Sequence, residues 1–393
     1  MPLETKTDRS ADSLSKNRLR SPSRDPKEWF AEVIARNPGL EPVWKNVPDH
    51  ENGFLQWLEF CEKYRVDEGL GTEKLDIPED IAEMISKPEK WDSQAVKAFL
   101  DKNKDLLAAI SRIGLSPSQS AAGIDMNRWS FVGARFTKQS ADLLLADARL
   151  AAENGDLEHA LRRVRAACGL DNHYDQIETP TLLMAAVSIV VRLNTQDQVI
   201  KHFLPTLNGN AAEIARWREA IRSPNMDASS FSTLLRAEGW VSLGGFVIPA
   251  VNGDMKFPQP NNIPDPDALF DAYAQGYIEA ANRSQTLSLL ELLGDENEHL
   301  GFPIDATHLS KGSQELLEEI AIGASSWANG WVRTIVLSAR TDAALAIMQG
   351  AEIPLEPFTG LPYVYDSVAR TLQVPDDPRL REKLNIGDAL RLP

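Results

Sequence analysis

Residues 141–172, ADLLLADARLAAENGDLEHALRRVRAACGLDN, contain two amphipathic helices and the turn that joins them. Leu143, Leu144, Ala148 and Ala151 recur at helical spacing, which places them on one face. Gly155-Asp156 then supplies a chain reversal and a cap. Leu157, Ala160, Leu161, Val164 and Ala167 form the apolar stripe of the returning helix. The small residues Ala148, Gly155, Ala160 and Ala167 stand where two antiparallel helices must approach closely. With Leu144, Ala151 and Val164 they match the packing positions of one tetratricopeptide-like hairpin. No second copy follows at a fixed period, and a solenoid normally needs about three units. The segment is therefore either an ordinary αα-hairpin or one unit of a repeat protein with a peptide-binding concave face.

Helical signals extend in both directions. Towards the N-terminus, Asp25-Pro26 is a cap followed by a first-turn proline, ahead of Trp29, Phe30, Val33 and Ile34 at helical spacing. Phe54, Leu55, Trp57, Leu58 and Cys61 make a second stripe after Pro48-Asp49, and two short helices follow up to Gly114. Residues 116–137 read as a long irregular linker. Beyond the hairpin, helices are expected over about 179–193, 195–205, 209–222, 227–243, 265–293 and 313–348. From Ile353 to Tyr365, prolines and a glycine at turn positions predict a small β-hairpin, with a polar tail after Asp376. The expected fold class is mainly all-α: packed helical hairpins, partly repeat-like, with a small C-terminal β-hairpin. The corresponding division is a disordered tail (1–25), an N-terminal helical subdomain (26–115), a linker (116–137), a main helical array (138–350) and a C-terminal ribbon and tail (351–393).

Lysines and arginines number 41 against 57 aspartates and glutamates in 393 residues, a formal charge of −16. Such a chain repels phosphate backbones, and no sustained basic face offsets this, so nucleic acid is not an expected partner. Lys16, Arg18, Arg20 and Arg24 form one basic cluster in a polar N-terminal stretch. It is either a solvated tail or a contact for a membrane surface or partner. Residues 1–25 lack the apolar core of a signal peptide. No segment reaches the ~18 uncharged apolar residues of a spanning helix; Thr179–Val191 and Gly239–Gly253 come nearest and read as core. No integral membrane segment is therefore expected. Cys61 and Cys168 sit in helical apolar patterns and fit a cytoplasmic, reducing compartment.

Chemical signatures are sparse. Six histidines show no HxxxH or HExxH spacing, so neither a metal nor a cofactor is expected. The acidic stretch between Asp295 and His308 is read as a solvated loop rather than a cation site. There is no GxSxG, P-loop or GxGxxG motif. Arg236 and Glu238, however, lie mid-helix among Phe231, Leu234, Leu235, Trp240 and Val241. A charge in such surroundings must be paired or reach water. Arg333 and Arg340, in the long C-terminal helix, are the expected partners for Glu238. These four residues are the candidate site, either as a buried ion pair that fixes helix register or as a catalytic or ligand-binding group.

Several pieces occur in one order: Pro48-Asp49 and Asn52-Gly53 at a helix start, AAENGDLEHAL in the hairpin, Arg236-Ala237-Glu238 in a later helix, and PLEPFTGLPYVY after the long helix. This order resembles a family of uncharacterised helical proteins abundant in planctomycetes and verrucomicrobia, with a C-terminal signature like DPFTGxPLxY. The resemblance covers residues 45–366 in patches. It is most specific at Glu356–Tyr365 and around Glu238. Glu356 stands where the family has aspartate. The segment from Met348 to Leu355 is shorter than usual, and the N-terminal membrane anchor of many members is not visible. The resemblance implies the helical fold and carries no activity. Two functions remain open. One is a non-enzymatic helical scaffold that binds a protein or peptide partner in a groove within residues 138–293. The other is an all-helical hydrolase using a buried carboxylate such as Glu238. An envelope-associated component is a weaker third.

Overall fold

The 141–172 hairpin forms as expected and lies at the centre of the largest apolar cluster. A computed structural model describes residues 24–64, 74–126, 134–207, 209–223, 228–253, 263–293, 306–320 and 324–393. Residues 1–23 of the expected N-terminal tail and the acidic stretch 295–305 fall outside them, while Asp25 of that tail caps the first helix. Helix α6 (Ala134–Glu153) and helix α7 (Leu157–Asp175) form the hairpin. Gly155 takes φ +81°, and the Asp156 carboxylate accepts the His159 N–H at 3.0 Å, capping α7. Ala148, Ala160, Val164 and Ala167 are all fully buried at the contact.

Helices α1 (Pro26–Arg36), α2 (Gly53–Tyr64), α3 (Glu79–Ser86), α4 (Ser93–Lys102) and α5 (Lys104–Gly114) precede the hairpin. Helices α8 (Leu182–Gln198), α9 (Ala211–Ala220), α10 (Ala228–Ser242), α11 (Ile248–Asn252) and α12 (Pro266–Thr286) follow it. The chain then adds α13 (Leu289–Leu292), α14 (Lys311–Ile320), α15 (Ala324–Gln349) and α16 (Pro378–Glu382). The array is mainly α-helical. Beyond α15, β1 (Val364–Asp366) pairs antiparallel with β2 (Thr371–Gln373), and β2 pairs antiparallel with β3 (Leu390–Arg391); the C-terminal hairpin is present but lies later than expected, because residues 353–363 hold a turn and no strand.

Three apolar clusters hold these elements. The first joins α2–α5 to the hairpin and α9, around Phe54, Trp57, Phe136, Phe203 and Trp217. The second joins the start of α8, α10, the end of α12, α15 and the C-terminal segment. The third packs α1 against Leu243–Ile248, α12 and α14. Residues 26–115 thus divide between two clusters, α1 in the third and α2–α5 in the first. Each large side chain withdrawn from water contributes roughly 1.5–3 kcal/mol.

Three sequence expectations need correction. The helix expected over 265–293 ends at Thr286, because Leu287 and Ser288 are extended and Ser288 caps the separate α13. No break separates 193 from 195, because α8 runs on to Gln198 and into a π-type turn at Val199–Phe203. Asn194 is occupied by Asp142 at 3.0 Å, and the Thr195 hydroxyl donates back to Val191 O at 2.8 Å, so neither side chain caps a new helix. The residues after Asp376 are not a polar tail. Leu380, Leu384, Ile386 and Leu392 are buried in the second cluster.

Both cysteines are free thiols. Ser229–Asn252 is long and apolar enough to cross a membrane by length and composition, and 56% of its apolar window is buried inside the protein.

Candidate functional site

The mid-helix charges of α10 are placed where expected but are partnered differently. Glu238 is 6% exposed. Its Oε2 accepts the backbone N–H of Leu182 at 2.7 Å, and its Oε1 accepts the Ser242 hydroxyl at 2.6 Å. The first-turn amides of α8 lack intrahelical acceptors, and a carboxylate there also meets the positive end of the helix dipole. Thr181 caps the same turn through Met184 N at 3.1 Å. Glu238 is therefore a helix-capping group supplied by a neighbouring helix.

The expected pairing of Glu238 with Arg333 or Arg340 does not form. Those two arginines face the C-terminal segment instead. Arg333 Nε donates to Leu384 O at 2.9 Å, and Arg340 Nη1 donates to Asp388 O at 2.8 Å. Burial lowers the Arg340 pKa from its ordinary value. Arg236 lies on another face of α10, where Nη2 donates to Asn282 Oδ1 at 2.6 Å and Nε is buried without a partner among the described residues. The four predicted residues thus do not converge. Both carboxylate oxygens of Glu238 are engaged by the fold, one by Leu182 N and the other by the Ser242 hydroxyl.

A buried ionic group lies elsewhere. Arg192 Nη2 sits 2.7 Å from Asp171 Oδ2 and 2.9 Å from Asp175 Oδ2, with all three side chains 3% exposed. Burial raises the Asp171 pKa, Arg192 opposes the rise, and Asp175 adds to it. Burial pushes the neighbouring Cys168 thiol up to about 12, with Asp171 adding to the effect, so this cysteine is not an activated nucleophile. The signal was present in the sequence: Asp171 and Asp175 are spaced i, i+4, and Arg192 ends the apolar run of α8.

Asp175 opens onto a cleft of about 450 Å³ where the end of α7, the start of α8, α10 and the extended chain at 41–45 meet. Leu40, Val43, Ile177, Leu234 and Trp331 give it apolar walls, and Lys45, Glu178, Thr233 and Arg236 line it with polar groups. Of the four predicted site residues, Arg236 is the one that lines it. Glu178 pins the edge of the cleft: its Oε1 accepts Lys45 N at 2.9 Å and the Ser120 hydroxyl at 2.7 Å, and its Oε2 accepts Ala121 N at 2.8 Å. Lys45 Nζ donates to Gln176 O at 2.8 Å.

No family model, curated protein or solved structure matches this chain. The cleft must therefore be read from its own chemistry. Val43 is 90% exposed and Trp44 40% exposed, held edge-on against Trp240. Among the described residues, no hydrogen bond engages the backbone N–H of Val43 or Trp44. Trp331 is 5% exposed and its indole Nε1 has no partner among the described residues. An extended edge with open amides beside an apolar trough suits an extended ligand backbone with one or two apolar side chains. Among the described residues, no group of three His, Cys, Asp or Glu side chains is arranged to hold a metal.

Proposed function

We propose that this protein is a non-enzymatic helical scaffold that binds an extended peptide segment of a partner protein in the cleft between residues 41–45 and α10. The observation that carries the reading is the pairing of a solvent-facing extended edge at Val43–Trp44 with the apolar wall of Leu40, Ile177, Leu234 and Trp331. Main-chain pairing along the edge would supply affinity, and the trough would select the side chain. A cleft of this size is in the range of pockets for small ligands or one or two side chains. The resemblance to the planctomycete and verrucomicrobial helical proteins adds no activity to this reading.

The test is selection from a random peptide library on the full chain, followed by affinity measurement on Thr233→Trp and Val43→Pro. Thr233 is an exposed cleft residue, so tryptophan there fills the trough without disturbing a core. Proline at 43 removes one edge donor. Selected peptides should bind Thr233→Trp at least about tenfold more weakly, a loss of about 1.4 kcal/mol. A library that yields no binder, or binders indifferent to both changes, removes the reading.

A further inference from the structure

A second and larger cleft, about 900 Å³, lies on a different part of the molecule, where α2, α5 and α7 diverge. Glycine contacts close one end of it. A Cβ on Gly169 would stand 1.6 Å from Gly114 O, and a Cβ on Gly53 would stand 2.3 Å from the His173 ring. Helices α5 and α7 are thus packed backbone to backbone at Gly114 and Gly169, and the start of α2 lies against the His173 ring of α7. They splay apart towards Ala108, Glu59 and His159, which line the opening.

The lining is unusual for a chain of charge −16. Arg112 from α5 and Arg162 and Arg163 from α7 all line this one cleft, with His50 and His159. Arg163 is fixed in place, its Nε 2.6 Å from Asp147 Oδ2, and the same oxygen is 2.9 Å from His159 Nε2. Arg112 and Arg162 are exposed, and among the described residues no ion pair joins either to a carboxylate. Elsewhere Arg36, Arg216 and Arg218 each find an acidic partner. Asp49 and Glu59 line the α2 side of the cleft and make no ion pair with these arginines. That acidic side, added to the overall charge, opposes a long polyanion but leaves room for a small one.

We infer that this cleft is a binding site for a small oxyanion-bearing ligand, a phosphate ester or a carboxylic acid, held by Arg112 and Arg162 beside the fixed Arg163. Guanidinium forks match the oxygens of both groups, and charge-assisted hydrogen bonds are the strong ones. The site is independent of the peptide cleft, with no shared lining residue.

Calorimetric titration of the full chain with pyrophosphate and, separately, with citrate tests it and distinguishes the two sources of charge. Saturable one-site binding of either probe is expected. The double variant Arg112→Gln/Arg162→Gln should weaken it at least about tenfold. Arg165→Gln, an exposed arginine of the same helix outside the cleft, should leave it unchanged. Glu59→Gln should tighten it by removing a like charge. Both arginines are exposed, so the variants should keep the wild-type circular dichroism. Failure of both probes to bind overturns the inference. So does equal weakening by Arg165→Gln, which marks unspecific surface attraction.

Discussion

Three side chains show how burial alters charge at single residues. His173 is 2% exposed, and its Nε2 donates to Ile113 O at 2.8 Å. Burial lowers its pKa to about 4 from 6.5. The folded state therefore holds the ring neutral, while the unfolded chain takes up a proton near 6.5. The stability this contributes is complete above pH 6.5 and is lost as pH falls towards 4, on the order of 3 kcal/mol. Urea unfolding of wild type and His173→Gln across this window should show a shallower acid loss in the variant. Parallel curves would reject the assignment. Arg192 makes the opposite case. Replacing it with leucine leaves Asp171 and Asp175 buried together without a counter-charge, at a cost of about 3–5 kcal/mol. Asp171 is raised by burial, so its carboxyl is more readily neutral at lower pH. The penalty of Arg192→Leu should accordingly be larger at pH 8 than at pH 5, measured by denaturant midpoint. Neither charge cluster was chosen from the sequence, because helical spacing does not say which neighbouring element a face meets. The charges at Arg236 and Glu238 were legible as charges within an apolar helix. Their partners, an amide of α8 and Asn282, belong to distant segments and were not.

Among the elements, the most legible was the α6–α7 hairpin, since its turn, cap and small-residue positions are local. Its contact with α5 depends on a long-range match between Gly114 and Gly169. A methyl at 169 would lie 1.6 Å from the Gly114 carbonyl oxygen, backbone that cannot rotate away. Gly169→Ala must force α5 and α7 apart. Overpacking of this kind costs about 1–3 kcal/mol or more, although alanine is the better helix former by up to ~1 kcal/mol. The steric term wins because both glycines are at the closest approach. A thermal melt should show a marked loss of midpoint for Gly169→Ala and a small rise for Gly330→Ala, a mid-helix glycine with nothing within 4 Å of the added carbon. Equal melting of the two would mean the crossing relaxes freely. Element ends were harder to read than element cores. Asn194 and Thr195 look like a helix boundary, yet their side chains bond Asp142 and Val191 O while α8 continues.

At the scale of the molecule, the least legible feature was the role of the C-terminus. Its polar composition conceals four spaced apolar residues, Leu380, Leu384, Ile386 and Leu392, each 3% exposed or less. They complete the second cluster against α15, and Arg333 and Arg340 hold the carbonyls of Leu384 and Asp388 across the same helix. The PLEPFTGLPYVY segment prepares this docking. Glu356 is fully buried and accepts Phe358 N at 2.9 Å and Thr359 N at 2.7 Å, which fixes the turn that brings Phe358 and Tyr363 into the cluster. Burying four Leu or Ile side chains contributes roughly 6–12 kcal/mol at 1.5–3 kcal/mol each, an upper estimate because unfolded chains already bury some surface. That sum is comparable to the whole stability of a typical domain, about 5–15 kcal/mol. The two arginine contacts are smaller, about 1–3 kcal/mol each. Deleting residues 376–393 should therefore cost far more than Arg333→Ala or Arg340→Ala. The shortened chain should bind a hydrophobic dye and lose its cooperative urea transition, whereas each point variant should keep a single transition at a slightly lower midpoint. A truncated protein that unfolds like the full chain would show that the second cluster closes without its C-terminal strand and helix.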